Sequence, residues 1–138
     1  MVSKGVEDTI RMGSELAKKI KRGDVIALVG DLGSGKTVFT KGIAKGLGVK
    51  NVRYVNSPTF VIIKEYRGKV PLYHFDLYRL NRPNMLDIEN YGEYFYGDGI
   101  TVIEWADKIL KLLPPKYIEV KLSVIDESKR KIEIRKAG

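Results

Sequence analysis

Apolar positions fall into runs of two kinds. Val25-Ile26-Ala27-Leu28-Val29 and Ile100-Thr101-Val102-Ile103 are continuous, β-branched and of strand length, the pattern of strands buried on both faces. Residues 60–66 and 70–77 flank Arg67-Gly68-Lys69, and residues 117–124 and 131–135 flank Asp126-Glu127-Ser128-Lys129; both pairs read as β-hairpins. Helical spacing appears twice in the first third. From Val6 to Arg22, Ile10, Gly13, Leu16, Ala17 and Ile20 share a face, with Glu15, Lys18, Lys19 and Lys21 mostly opposite. The second helix runs from Val38 to Leu47 and stops near Gly46 and Gly48. Shorter helices are expected over 85–94, where Asp87, Glu89 and Glu93 read as a solvated face, and over 107–113, ended by Pro114-Pro115. No internal repeat or low-complexity segment interrupts the chain, and 138 residues suffice for one domain, 1–138, with both faces of a sheet covered.

Between the first strand and the second helix lies Gly30-Asp31-Leu32-Gly33-Ser34-Gly35-Lys36-Thr37, which fits G-x-x-x-x-G-K-[S/T] in the strand-before, helix-after context that pattern requires. Gly30, Gly33 and Gly35 are expected to turn the backbone through conformations closed to residues with a Cβ, so that successive N–H groups face an anion. The helix dipole and its unpaired first-turn donors favour negative charge at the same point. Asp31, Leu32, Gly33, Ser34, Gly35, Lys36, Thr37 and Val38 are therefore the expected nucleotide-phosphate contacts. Lys36 would reach the β- and γ-phosphates and Thr37 would ligate Mg²⁺. The expected fold is accordingly α/β, a three-layer P-loop NTPase fold with a mixed, partly antiparallel sheet and helices on both faces. A dinucleotide site fits poorly, since the glycines run G-x-x-G-x-G with Lys-Thr behind them.

Composition narrows the chemistry further. With no cysteine and a single histidine, His74, disulfides and thiolate metal sites are excluded and a zinc site is not expected. No apolar stretch reaches the length of a membrane span and the N-terminus lacks a signal-peptide core, so a cytoplasmic location is expected. The net charge of +8 raises nucleic-acid binding as one reading. Against it, the bases are scattered among acids without interleaved stacking aromatics, and a solvated Lys/Glu-rich surface or a field that recruits ATP or an acidic partner explains the charge equally well.

Two strand ends carry acids. Asp76 closes an apolar strand and would sit beside Thr37, with His74 and Tyr78 on its own face by alternation. Glu104 ends the strand that begins at Ile100. One of the two would complete a magnesium shell while the other orients or deprotonates water. Thr59, just after Ser57-Pro58, is a candidate sensor of the γ-phosphate or else simply the start of a strand. Trp105, the only tryptophan, reads as a core or strand-end aromatic.

Taken together, the loop 30–37, Ser57-Pro58-Thr59-Phe60, His74-Phe75-Asp76-Leu77-Tyr78-Arg79-Leu80 and Glu104-Trp105 resemble the TsaE (YjeE) family of small bacterial ATPases, in order from about Asp8 to Asp107. The H-x-D-x-Y-R-L block is the most specific part. The resemblance implies ATP hydrolysis with Mg²⁺ that sustains formation of threonylcarbamoyladenosine, the modified base beside the anticodon of certain tRNAs. It implies TsaD, the transferase, and TsaB as partners, tRNA contacted indirectly or weakly, and a monomer before complex formation. By the same resemblance the catalytic residues are Lys36, Asp76, Glu104 and Thr59, and Thr37, Asp76 and Glu104 hold the metal. Absence of an N-K-x-D motif argues for ATP over GTP. Two other readings compete: a small-molecule kinase, with Arg79 and Arg82 as the cations near the phosphates, and a basic RNA-binding module with a vestigial nucleotide site.

Overall fold

A seven-stranded mixed sheet in the order β1-β7-β6-β2-β5-β4-β3 organises the computed structural model, which describes residues 1–52, 55, 63–76, 97–106 and 113–137. The elements are β1 (Val2–Ser3), α1 (Val6–Ala17), β2 (Val25–Val29), α2 (Lys36–Gly46), β3 (Ile63–Arg67), β4 (Pro71–Asp76), β5 (Ile100–Glu104), β6 (Tyr117–Val124) and β7 (Arg130–Ala137). The central strand β2 lies parallel to both β5 and β6, and β4 lies parallel to β5. The edges are antiparallel, through the expected hairpins β3–β4 and β6–β7 and through β1 on β7. β1 had no counterpart in the hydrophobic pattern, because two residues are too few to show alternation.

Strand register determines what each face does. Ile26, Leu28, Leu72, Ile100, Val102, Val120 and Leu122 point to the face on which Met12, Leu16 and Ala17 of α1 and Phe39, Ile43 and Ala44 of α2 pack, forming the main core. Val25, Ala27, Phe75 and Ile103 point the other way and join Ala106 in a second cluster, with Tyr73, Trp105 and Leu113 against it. The two helices expected over 85–94 and 107–113 lie outside the described residues, Leu113 apart.

α1 is five residues shorter than its periodicity predicts. Beyond Ala17 the backbone is taken over by a turn in which the Asp24 carboxylate accepts the Lys21 N–H at 2.8 Å, while Gly23 sits at φ +91°. A short acid that captures a nearby amide competes directly with the helix ladder. At the other end Asp8 accepts the Lys4 N–H, and Glu7 and Asp8 place negative charge in the first turn, where the dipole favours it. Glycine lets α1 and α2 cross closely. A Cβ on Gly42 would stand 2.2 Å from the Ile10 carbonyl oxygen, and one on Gly13 would stand 2.5 Å from the Phe39 carbonyl oxygen.

Because β2, β5 and β4 are parallel, their carboxyl ends fall on one edge of the sheet. Leu28 pairs with Glu104, and Glu104 with Asp76. In open α/β sheets this edge is where ligands bind.

Candidate nucleotide site

The loop between β2 and α2 is shaped by its glycines, for two different reasons. Gly33 and Gly35 have φ of +82° and +100°, as expected for backbone turned through the left-handed region. Gly30 does not. Its constraint is contact: a Cβ there would lie 2.5 Å from the Leu122 carbonyl oxygen of β6 and 2.6 Å from Ser34 Oγ. The first glycine thus lets the loop lie against the neighbouring strand. Inside the loop the Ser34 amide donates to the Asp31 carbonyl, and the Phe39 amide donates to the Gly35 carbonyl as the helix begins.

Lys36 is 5 % exposed, and its ammonium is held closely. Nζ donates to the carbonyls of Gly30 at 2.6 Å and Asp31 at 2.9 Å, approaches Ser34 Oγ at 3.5 Å, and stands 3.9 Å from the centroid of the Trp105 ring. A buried ammonium needs such compensation, and the ring face supplies part of it. Trp105 itself has φ +62°. For a bulky aromatic this left-handed backbone is an outlier of the kind that clusters at functional sites. The sequence reading of Trp105 as a core or strand-end aromatic therefore captures only its packing; the signal for the rest was its place directly after Glu104.

Thr37, in the first turn of α2, donates its hydroxyl to Glu104, with Oε1 at 3.0 Å and Oε2 at 3.2 Å. Glu104 is 2 % exposed. Its Oε2 is also 2.5 Å from Nε2 of His74, a residue with no exposed surface. Of the two strand-end acids, Glu104 is seen to accept the Thr37 hydroxyl. Strand order brings it there, since β5 neighbours β2, the strand that leads into the loop. Asp76 stands one strand further out, paired with Glu104 across the β4–β5 register.

Of the remaining expected residues, Asp31, Leu32 and Gly33 are exposed on the loop, Leu32 by 72 %, Ser34 is buried, and Gly35 and Val38 are half-buried. Thr59 lies outside the described residues, as do Arg79, Arg82 and the second half of the H-x-D-x-Y-R-L block. Arg130 is a residue that composition could not single out. From the start of β7 its Nε donates to the Gly33 carbonyl at 3.3 Å, while Nη1 donates to the carbonyls of Asp126 and Lys129 at 2.8 and 2.9 Å. It ties the β6–β7 turn to the loop.

A parallel strand running into this loop, with a caged lysine and a threonine–carboxylate contact at the start of the next helix, defines a P-loop nucleotide-binding fold. Comparison with known proteins narrows the class. The chain belongs to the TsaE family: the model described as "Threonylcarbamoyl adenosine biosynthesis protein TsaE" matches residues 3–132. It is 44 % identical over 135 residues to the tRNA threonylcarbamoyladenosine biosynthesis protein TsaE of Bacillus subtilis, covering 96 % of this chain and 82 % of that protein. The TsaE protein of Treponema pallidum is 37 % identical over 135 residues, covering 96 % and 97 %. That of Aquifex aeolicus is 42 % identical over 129 residues, covering 93 % and 89 %. The crystal structure of YdiB from Bacillus subtilis superposes with a TM-score of 0.78 at 37 % identity, covering 99 % of this chain and 83 % of that one. Among the described residues, no helix is long and apolar enough to cross a membrane.

Proposed function

We propose that this member of a tRNA threonylcarbamoyladenosine biosynthesis family is an ATPase whose hydrolysis cycle keeps the threonylcarbamoyl transferase TsaD, with its partner TsaB, turning over. The observation that carries the reading is the contact of Thr37 with the buried Glu104 carboxylate, beside a lysine held at the mouth of the phosphate loop. A hydroxyl whose proton is directed at a carboxylate presents its oxygen as a ligand for a cation. The donor set suits Mg²⁺, for which hydroxyl and carboxylate oxygens are the proper hard ligands. Among the described residues no three or more His, Cys, Asp or Glu side chains gather into a metal cage. That suits an ion which completes its shell with phosphate oxygens and water. When bound, Mg²⁺ would neutralise charge developing on the phosphates.

The chain's own residues divide the remaining work. Loop amides and the α2 dipole bind the phosphates. Lys36 exchanges its carbonyl partners for phosphate oxygens, and Trp105 offers its ammonium a nearby apolar wall. Glu104 and Asp76, side by side at the strand ends, hold the metal shell and orient the attacking water; Thr59 is assigned to sensing the γ-phosphate. An arginine donated in trans raises hydrolysis by about 10³–10⁵-fold in related chemistry, so slow turnover alone and faster turnover with partners are expected. Arg130 meanwhile ties the loop to the β6–β7 turn through three backbone carbonyls.

The test is multiple-turnover tRNA threonylcarbamoylation with TsaD and TsaB, comparing wild type with Lys36→Ala and Glu104→Ala. Both variants should allow little beyond a first round. If they sustain cycling as well as wild type, the proposal fails. Phosphate transfer to a metabolite instead of release would point to a kinase.

A further inference from the structure

His74 is fully buried on β4, and the nucleotide reading leaves its role unassigned. Its Nε2 lies 2.5 Å from Glu104 Oε2, and Nδ1 has no hydrogen-bond partner among the described residues. Those two facts select a tautomer. A ring carrying its proton on Nδ1 alone would bury an unpaired N–H and turn a bare nitrogen toward a carboxylate oxygen. A ring carrying it on Nε2 leaves only an unfilled acceptor, and it donates to Glu104.

Glu104 needs that donor for orientation. The last torsion of a glutamate is broad, and Thr37 stands nearly equidistant from the two oxygens, at 3.0 and 3.2 Å, so the threonine alone does not select between them. The imidazole does, because it reaches Oε2 from a side chain that is fully buried on a backbone paired on both sides, with Val102 on β5 and with Lys64 on β3. We infer that His74 is a positioning residue, which locks the Glu104 carboxylate in one orientation on Thr37 through an Nε2–H donor. Its consequence for turnover rests on the ATPase reading above; the hydrogen bond itself does not.

Two variants separate orientation from mere packing. Glutamine carries its amide nitrogen about as far along the side chain as Nε2, whereas asparagine ends near the position of Nδ1. His74→Asn is expected to lower kcat for ATP hydrolysis by about 10–100-fold with KM for ATP changed by less than about two-fold, while His74→Gln recovers most of the loss, as for other groups that orient a metal-site ligand. Both variants are first checked for a cooperative thermal transition. Unchanged kcat in His74→Asn, or equal losses in both folded variants, overturns the inference. A second measurement needs no turnover. His74 is the only histidine, so a long-range ¹H–¹⁵N spectrum of the wild-type chain reads one ring. An Nε2–H tautomer that shifts in Glu104→Gln supports the inference, and an Nδ1–H tautomer overturns it even if ATPase activity is intact. Absence of ATP turnover in wild type would instead sink the ATPase reading, with the spectrum still deciding the His74 bond.

Discussion

Gly42→Ala puts a single methyl group where α1 and α2 cross. The new Cβ would stand 2.2 Å from the Ile10 carbonyl oxygen, 2.9 Å from its carbonyl carbon and 3.0 Å from the Gly13 Cα, the first well inside the 3.4–4 Å of ordinary contact. All three are backbone atoms, so no side-chain rotation relieves the clash and the helices must separate. Overpacking of this kind costs about 1–3 kcal/mol or somewhat more, and the better helix propensity of alanine returns about 1 kcal/mol. A 2.2 Å approach to backbone places the cost at the upper end of that range, so a net loss of about 2 kcal/mol is expected, a fall in Tm of about 6–10 °C for a domain of this size. Urea titration followed by circular dichroism measures it. Because α2 begins at Lys36, the displacement should also weaken nucleotide binding, measured by calorimetry on the folded variant. An unchanged or raised urea midpoint would refute the packing argument, since the propensity gain would then act unopposed.

Three other outcomes can be checked with similar means. A double-mutant cycle between Lys36→Met and Trp105→Leu in the nucleotide-free protein should show a coupling of about 0.5–2 kcal/mol in urea unfolding, the worth of a partly desolvated cation over a ring; additive effects would mean the contact is incidental. Gly35→Ala forces a Cβ into a φ of +100° and should lower stability by about 1–2 kcal/mol while abolishing tight ATP binding. Asp8 is held below the usual carboxylate range chiefly by the Arg11 side chain, and Asp126 by the backbone amides of Lys129 and Ser128. A lowered folded-state value means that each contributes stability at neutral pH that is lost as pH falls through that value. Asp8→Asn and Asp126→Asn should therefore narrow the gap between urea midpoints at neutral and strongly acid pH, and an unaltered gap would count against these bonds.

Much of the frame was legible from residues alone. Continuous β-branched runs announced β2 and β5, turn residues announced both hairpins, and the glycine-lysine-threonine spacing announced the loop and the helix behind it. What stayed hidden depends on strand order, which alternation along one strand does not reveal. That is why the contact of Thr37 with Glu104 needs the pairing of β2 with β5 to be seen. It is also why Arg130, one base among many in composition, proved to hold the loop at Gly33. His74 was legible as a face-mate of Asp76, but its bond to Glu104 requires the parallel pairing of β4 with β5. Gly42 lies within the helix expected from Val38 to Leu47. Nothing local signals that Ile10 passes 2.2 Å from its missing Cβ.

The backing of the phosphate loop by β6 and β7 bears on how the site is assembled during synthesis. Gly30 lies against Leu122, Gly33 is held by Arg130, and the N-terminal Met1 carbonyl receives the Ile132 amide. Each contact joins residues separated by about two thirds of the chain or more. The fragment that ends after α2 carries every residue of the glycine motif, yet lacks the strand against which Gly30 rests. Contacts of such separation form late, after the entropy of a long loop has been overcome. A nascent chain therefore displays the motif well before it carries the strands that back it.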